Sequence, residues 1–324
     1  MENAANFSPR KNARKAKELV FERKFIAIKD LKMKNDITGE TMFRYLSKDI
    51  HEYPSPVEFH ITEVAHVTNK TRRPLIWKSG GFKGFKGFGK DSLSWWSLKI
   101  NEADISAAEE RYLEKLFPDI TKEEKTAHPP FLSDFTTSPL FLNEFSRYGN
   151  FRFTFPLTEL MEVYKKQTCE GQEPVLRIYE TKLFKQEIEY VVLVHSPEFN
   201  EKFRDFPLLT SSPLVAYDGH QIIWTAQAIC ETHKCKLVKM ENGVLTETLE
   251  KKYQEFYVWD HVSLVFHITK VLTFPKRKLK ANLSCCKLDP KVNLANGENC
   301  SSLDEAEKII ESLLVDESEK EDEE

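Results

Sequence analysis

From residue 174 onward the chain alternates apolar and polar residues in short runs, interrupted by Asp218-Gly219 and Asn242-Gly243. These two dipeptides constrain the fold most. A tight hairpin turn needs left-handed backbone, which glycine adopts without strain, so each dipeptide predicts a pair of antiparallel neighbours. Strands are expected at 175–184, 187–195, 214–217, 220–230, 236–241, 244–249 and 255–271. Six or more strands at this spacing predict an antiparallel sheet that curls or packs on helices.

The first half is mixed. In 57–68, Val57, Phe59, Ile61, Ala65 and Val67 alternate with Glu58, His60, Thr62, His66 and Thr68, the pattern of one half-buried strand. A second strand is expected at 92–100. Capping boxes at Ser106/Glu109, Thr121/Glu124 and Ser302/Glu305 predict helix starts. Leu157, Leu160, Met161 and Tyr164 after Pro156 predict an amphipathic helix over 157–167. Residues 13–31 read as a helix start followed by helix or strand. The proline- and phenylalanine-rich 128–155 reads as an ordered, irregular connection. The expected fold class is α+β: an antiparallel β-rich core packed with a few helices, ending in a disordered acidic tail. Three regions are expected: a basic, partly helical N-terminal segment (1–55), a mixed core (56–285, divisible into 56–170 and 171–285), and a linker, short helix and acidic tail (286–324).

The 324 residues are 40% hydrophobic and 30% charged, a globular composition. The net charge of −4 excludes a uniformly basic nucleic-acid binder, but the charge is uneven. Residues 1–100 carry 20 Lys/Arg against 11 Asp/Glu, and residues 301–324 carry 2 against 11. No apolar leader opens the sequence and no stretch approaches the length that spans a bilayer, so no membrane partner and no secretion are expected. A cytoplasmic or nuclear location follows, with Cys169, Cys230, Cys235, Cys285, Cys286 and Cys300 reduced. Two basic clusters have the composition that nuclear import receptors read: Arg10, Lys11, Arg14, Lys15, Lys17, and Lys276, Arg277, Lys278, Lys280.

The most unusual segment is 80–90, GGFKGFKGFGK. Widened to 69–90 it holds seven cations (Lys70, Arg72, Arg73, Lys78, Lys83, Lys86, Lys90) and no acid. Cations neutralise phosphates, phenylalanine rings stack on bases, and glycine lets a backbone approach closely. Arg72, Arg73, Lys78, Phe82, Lys83, Phe85, Lys86, Phe88 and Lys90 are therefore the candidate partner-binding residues. The competing expectation is a hairpin whose rings fold back onto the sheet. Gly84–Lys90 has the spacing of a phosphate-binding loop, but Asp91 stands where Ser or Thr would hold magnesium, and a strand pattern follows where a helix is required. Cys230, His233 and Cys235, joined by Cys285 or Cys286, would make a zinc site. Their irregular spacing favours thiols buried at a hairpin end, so neither metal nor cofactor is expected. His261, Ser263 and His267 share one strand face, opposite Val258, Val262, Leu264, Phe266 and Ile268, and read as the wetter side of a sheet. No nucleophile elbow or metalloprotease motif occurs. The expected function is a non-enzymatic interaction protein with a protein partner. The alternatives are a single-stranded nucleic-acid-binding module centred on 69–90 and an enzyme of unidentified class.

Overall fold

The computed structural model describes residues 7–12, 16–31, 51–52, 55–86, 91–132, 141, 144–230, 233–239, 245–251, 257–288 and 302–321. A 12-stranded mixed sheet dominates it. Nine strands form its spine: β1 (Ser8–Lys11), β2 (Lys17–Glu22), β3 (Glu63–Thr68), β4 (Ser92–Lys99), β5 (Phe151–Pro156), β6 (Val175–Phe184), β7 (Glu187–His195), β8 (Tyr257–His267) and β9 (Leu283–Cys285). They lie in the order β1-β2-β6-β7-β8-β4-β3-β5-β9. Around the sheet pack α1 (Arg73–Ser79), α2 (Glu102–Leu116), α3 (Lys122–Ala127), α4 (Leu157–Thr168), α5 (Lys276–Ala281) and α6 (Leu303–Glu321).

The α+β architecture agrees with the sequence, but the spine is not wholly antiparallel. β7 and β8 pair in parallel, from Glu187↔Trp259 to Val194↔Phe266. The chain leaves β7 at His195 and returns only at Tyr257, and a long excursion of this kind is what a parallel pair requires. The expected strand over 57–68 breaks at Thr62. Its first part, Val57–Ile61, pairs with Ile222–Ala226 in a separate three-stranded sheet, and its second part is β3. The carbonyl of Thr62 is thereby free to accept the N–H of Leu157 at the start of α4. The helix expected from Ser106 begins earlier, because Asn101 and Asp104 form the capping box that is used. Of 13–31, read as a helix start followed by helix or strand, Lys17–Glu22 is a strand and helix is confined to Ile28–Leu31; Ser8–Lys11, before it, adds a further strand to the sheet. The Asp218-Gly219 reversal is a four-residue loop rather than a two-residue one: Tyr217 pairs with Ile222, and Asp218 Oδ1 accepts the N–H groups of His220 and Gln221. The Asn242-Gly243 reversal lies outside the described residues; the strands on either side, His233–Lys239 and Leu245–Lys251, pair antiparallel, but with Lys239 opposite Leu245, one residue out of the register that a two-residue turn at 242–243 gives. Of the acidic tail, only the backbone to Glu321 is described.

The two faces of the sheet differ. The inner face carries Val64, Trp96, Leu98, Phe153, Phe155, Tyr190, Val192, Val194, Val262, Leu264 and Phe266, all buried, and Tyr164 of α4 stacks edge-on against Phe266. On the outer face, Leu93, Val191, Leu193 and Val265 form a second, smaller cluster, closed by Phe199, Phe203 and Phe206 from the turns after β7. Beside it the outer face is ionic.

One acid lies on the wrong side of this division. Asp260 points to the inner face among buried apolar residues, with Oδ1 accepting the N–H of Gln227. Burial holds its carboxyl well above the usual carboxylate range, so the folded chain keeps a proton that the unfolded chain releases. The stability that this proton contributes is therefore present below about pH 4 and is lost as pH rises toward the raised folded value. Asp260→Asn should raise the denaturant midpoint at pH 7 and flatten its dependence between pH 4 and 7; an unchanged profile would contradict a protonated Asp260.

Candidate binding surface

The basic segment begins where β3 ends. Asn69 Oδ1 accepts the N–H groups of Thr71 and Arg72, turning the chain into α1, and Pro74 in the first turn suits the helix start. The helix stops at Gly80, which takes the left-handed conformation (φ 67°) and donates its N–H to the Ile76 and Trp77 carbonyls. Gly81 and Phe82 then pair with Leu272 and Thr273. This ladder needs glycine: a Cβ on Gly81 would sit 2.0 Å from the Leu272 carbonyl oxygen. Finally Phe85 and Lys86 pair with Leu93 and Ser92 of β4, closing the hairpin that carries the rest of the segment.

The three candidate phenylalanines separate. Phe82 is 1% exposed and sits edge-on to Trp96 (4.8 Å), Phe153 (5.4 Å), Phe155 (6.0 Å) and Phe274 (5.8 Å). It is a core ring and offers no face to a partner, as the fold-back expectation held. Phe85 is 58% exposed, with the Arg72 guanidinium 5.2 Å from its ring centre. Phe88 and Lys90 lie outside the described residues. Lys86 is placed by its backbone, while Arg72, Lys78 and Lys83 are exposed. Arg73 turns inward, its guanidinium 5.5 Å from the Phe151 ring, with Nε and Nη1 buried and lacking hydrogen-bond partners. Leu75, three residues after Arg72, is 64% exposed. Asp91, the first acid after the segment, is paired with Lys202.

The tertiary structure also brings the second basic cluster here. The Phe274 N–H donates to the Gly80 carbonyl at 2.8 Å, and α5, which carries Lys276, Arg277, Lys278 and Lys280, starts two residues later. Lys276 and Arg277 are exposed, whereas Lys278 is paired with Glu159 at 3.0 Å.

A second constellation, on the outer face of the sheet, escaped the sequence reading. Lys182 of β6 pairs with Glu189 of β7 at 2.6 Å and lies 4.2 Å from the Trp95 ring. Glu189 also accepts from Ser263 of β8, and neighbouring Glu187 pairs with Arg147 and His261. Burial favours protonated Glu189, but Lys182, His261 and Ser263 outweigh it and bring the carboxyl down to about 2. Further along, Arg177 donates to His195 Nε2 at 2.8 Å, and Nδ1 donates to the Ser196 carbonyl, fixing a neutral ring. His267 is not wet as expected. Phe199 and Phe203 pack edge-on against it, and burial followed by Lys202 lowers it to about 4. The strand alternation placed His261, Ser263 and His267 on one face; their partners lie on β7 and in the turns after it, far away in sequence.

The side chains of Cys230, His233 and Cys235 lie outside the described residues. Cys286 is buried, its Sγ 3.3 Å from the Gly149 carbonyl oxygen, and burial pushes the Cys285 thiol up to about 11. Among the described residues, no group of three His, Cys, Asp or Glu is placed to hold a metal.

Two outcomes follow. Phe82→Ala should destabilise the fold by about 3–5 kcal/mol, whereas Phe85→Ala should stay within about 0.5 kcal/mol, as read by urea midpoints; equal costs would show that both rings are core. The lowered Glu189 carboxyl stabilises the fold above about pH 4.5 and loses that contribution as pH falls toward 2. Glu189→Gln should therefore weaken stability at pH 7 and make the midpoint less sensitive to acid over that range.

Comparison of the chain with models of known protein families, with curated proteins and with solved structures finds no match, so its function is argued from the chemistry of these surfaces.

Proposed function

We propose that the chain is a non-enzymatic interaction protein that holds a negatively charged partner at the corner formed by 69–86. The observation that carries this reading is Phe85 exposed beneath Arg72, within a segment of six cations and no acid. Large exposed rings usually mark contact sites, and a cluster of one charge sign steers an oppositely charged partner. The outer-face groups support a structural role in preference to a catalytic one. Lys182, Glu189, Glu187 and Arg147 are engaged with each other, and His195 and His267 are both held toward the neutral form. The open ring of Phe85 favours a single-stranded nucleic acid as the second reading, with one base stacked on it.

Retention on immobilised heparin tests the charge term. Affinity should drop steeply between about 50 and 200 mM salt, and Lys78→Gln with Lys83→Gln should flatten the log–log slope by about two charge equivalents. A slope indifferent to both substitutions would place the contact elsewhere. For the second reading, Phe85→Ala should weaken oligonucleotide binding without altering the slope, because stacking releases no counterions.

A further inference from the structure

We propose that this corner docks onto the surface of an anionic bilayer, with Leu75 and Phe85 entering the headgroup layer and the surrounding cations meeting lipid phosphates. The inference rests on the reading of 69–86 as a polyanion site and names its partner.

Leu75 separates a lipid surface from the other polyanions. Among the described residues it is the most exposed of the large apolar side chains, at 64%, although Ile76 beside it is buried and anchors the helix. Arg72, Leu75 and Lys78 recur at three-residue spacing and so lie along one side of α1. Arg72 also lies against Phe85, which ties the exposed ring to the residue one helical turn before Leu75. An aliphatic side chain has no face on which a base can stack. It gains free energy by leaving water for an apolar medium, which a headgroup boundary supplies and a sugar–phosphate strand does not.

The second argument is the breadth of the charge. The Gly81–Thr273 pairing sets Lys276 and Arg277 of α5 beside the end of α1, so the cations span two elements joined by a ladder. Basic residues near an anionic leaflet each strengthen attachment, and apolar insertion plus a basic patch supplies the two signals that lasting attachment needs. The net charge of −4 does not oppose this, because at physiological salt charges beyond about 8 Å are largely screened and the local field decides. The nearest acid in sequence, Asp91, is already paired with Lys202. The absence of a spanning segment led to an expectation of no membrane partner. No helix among the described residues can cross a bilayer, but contact with its surface requires none.

Co-sedimentation of the intact chain with phosphatidylcholine vesicles, with and without phosphatidylserine, tests the proposal. Binding is expected with phosphatidylserine only, and should weaken as salt rises. Leu75→Ser with Phe85→Ser should lower vesicle affinity about tenfold or more while leaving heparin retention unchanged. Lys276→Gln with Arg277→Gln should lower vesicle affinity by roughly fivefold per cation. All four positions are exposed, so melting midpoints should match the parent and confirm that folding is intact. Vesicle affinity unaffected by the Leu75/Phe85 pair overturns the insertion. Failure to bind phosphatidylserine vesicles, with heparin or a single-stranded oligonucleotide still bound, overturns the lipid partner and leaves the polyanion reading standing. Loss of both overturns both.

Discussion

The interlocked rings on the inner face of the sheet fix everything around them. Phe82, Trp96, Phe153, Phe155 and Phe274 come from four separate stretches of chain; Phe82 meets the other four edge-to-face at centre distances of 4.8–6.0 Å, and Phe155 and Phe274 meet tilted at 4.5 Å. Each such contact adds about 0.5–1.5 kcal/mol beyond the burial of the rings. The packing joins the hairpin after α1, strands β4 and β5, and the segment before α5 into one body. The close backbone approach at Gly81 is part of the same arrangement, because Phe82 reaches its seat only if the chain passes tightly against Leu272.

The outer face shows the opposite solution. An apolar cluster covers only part of the outer side, and beside it that side is built from ion pairs. Lys182 with Glu189, and Glu187 with Arg147, are nearly buried, and each charge has an opposite partner. Such pairs add little net stability compared with apolar packing, but removing one partner strands the other. This penalises any shift in register between β6, β7 and β8, since a slip of one residue would turn these charges into the core.

The corner's exposure is a by-product of the same geometry. Phe82 and Phe85 stand three residues apart with Gly84 between them. The first faces the inner rings, and the second pairs with Leu93, whose side chain belongs to the outer side. A ring that cannot reach the core is left beside Arg72, and with the neighbouring cations it becomes the most distinctive chemical surface of the described chain.

Much of the strand and helix inventory was legible in local pattern. Alternation located β6, β7 and β8, and two capping boxes located α3 and α6, because side-chain period and cap hydrogen bonds are decided within a few residues. The cation-rich, acid-free segment was also plain in the sequence. Its division into a core ring and an exposed ring was not, since periodicity cannot show which side of a short hairpin meets the sheet. The parallel pairing of β7 with β8, the contacts of Glu187 and Glu189 with Arg147, His261 and Ser263, and the meeting of α1 with α5 all join residues tens to hundreds of positions apart. Composition determined that this protein would carry two basic clusters and an apolar excess in need of burial. The packing of the sheet and the missing side chain at Gly81 decided that the cluster at 276–280 would lie next to the cation-rich segment 69–86.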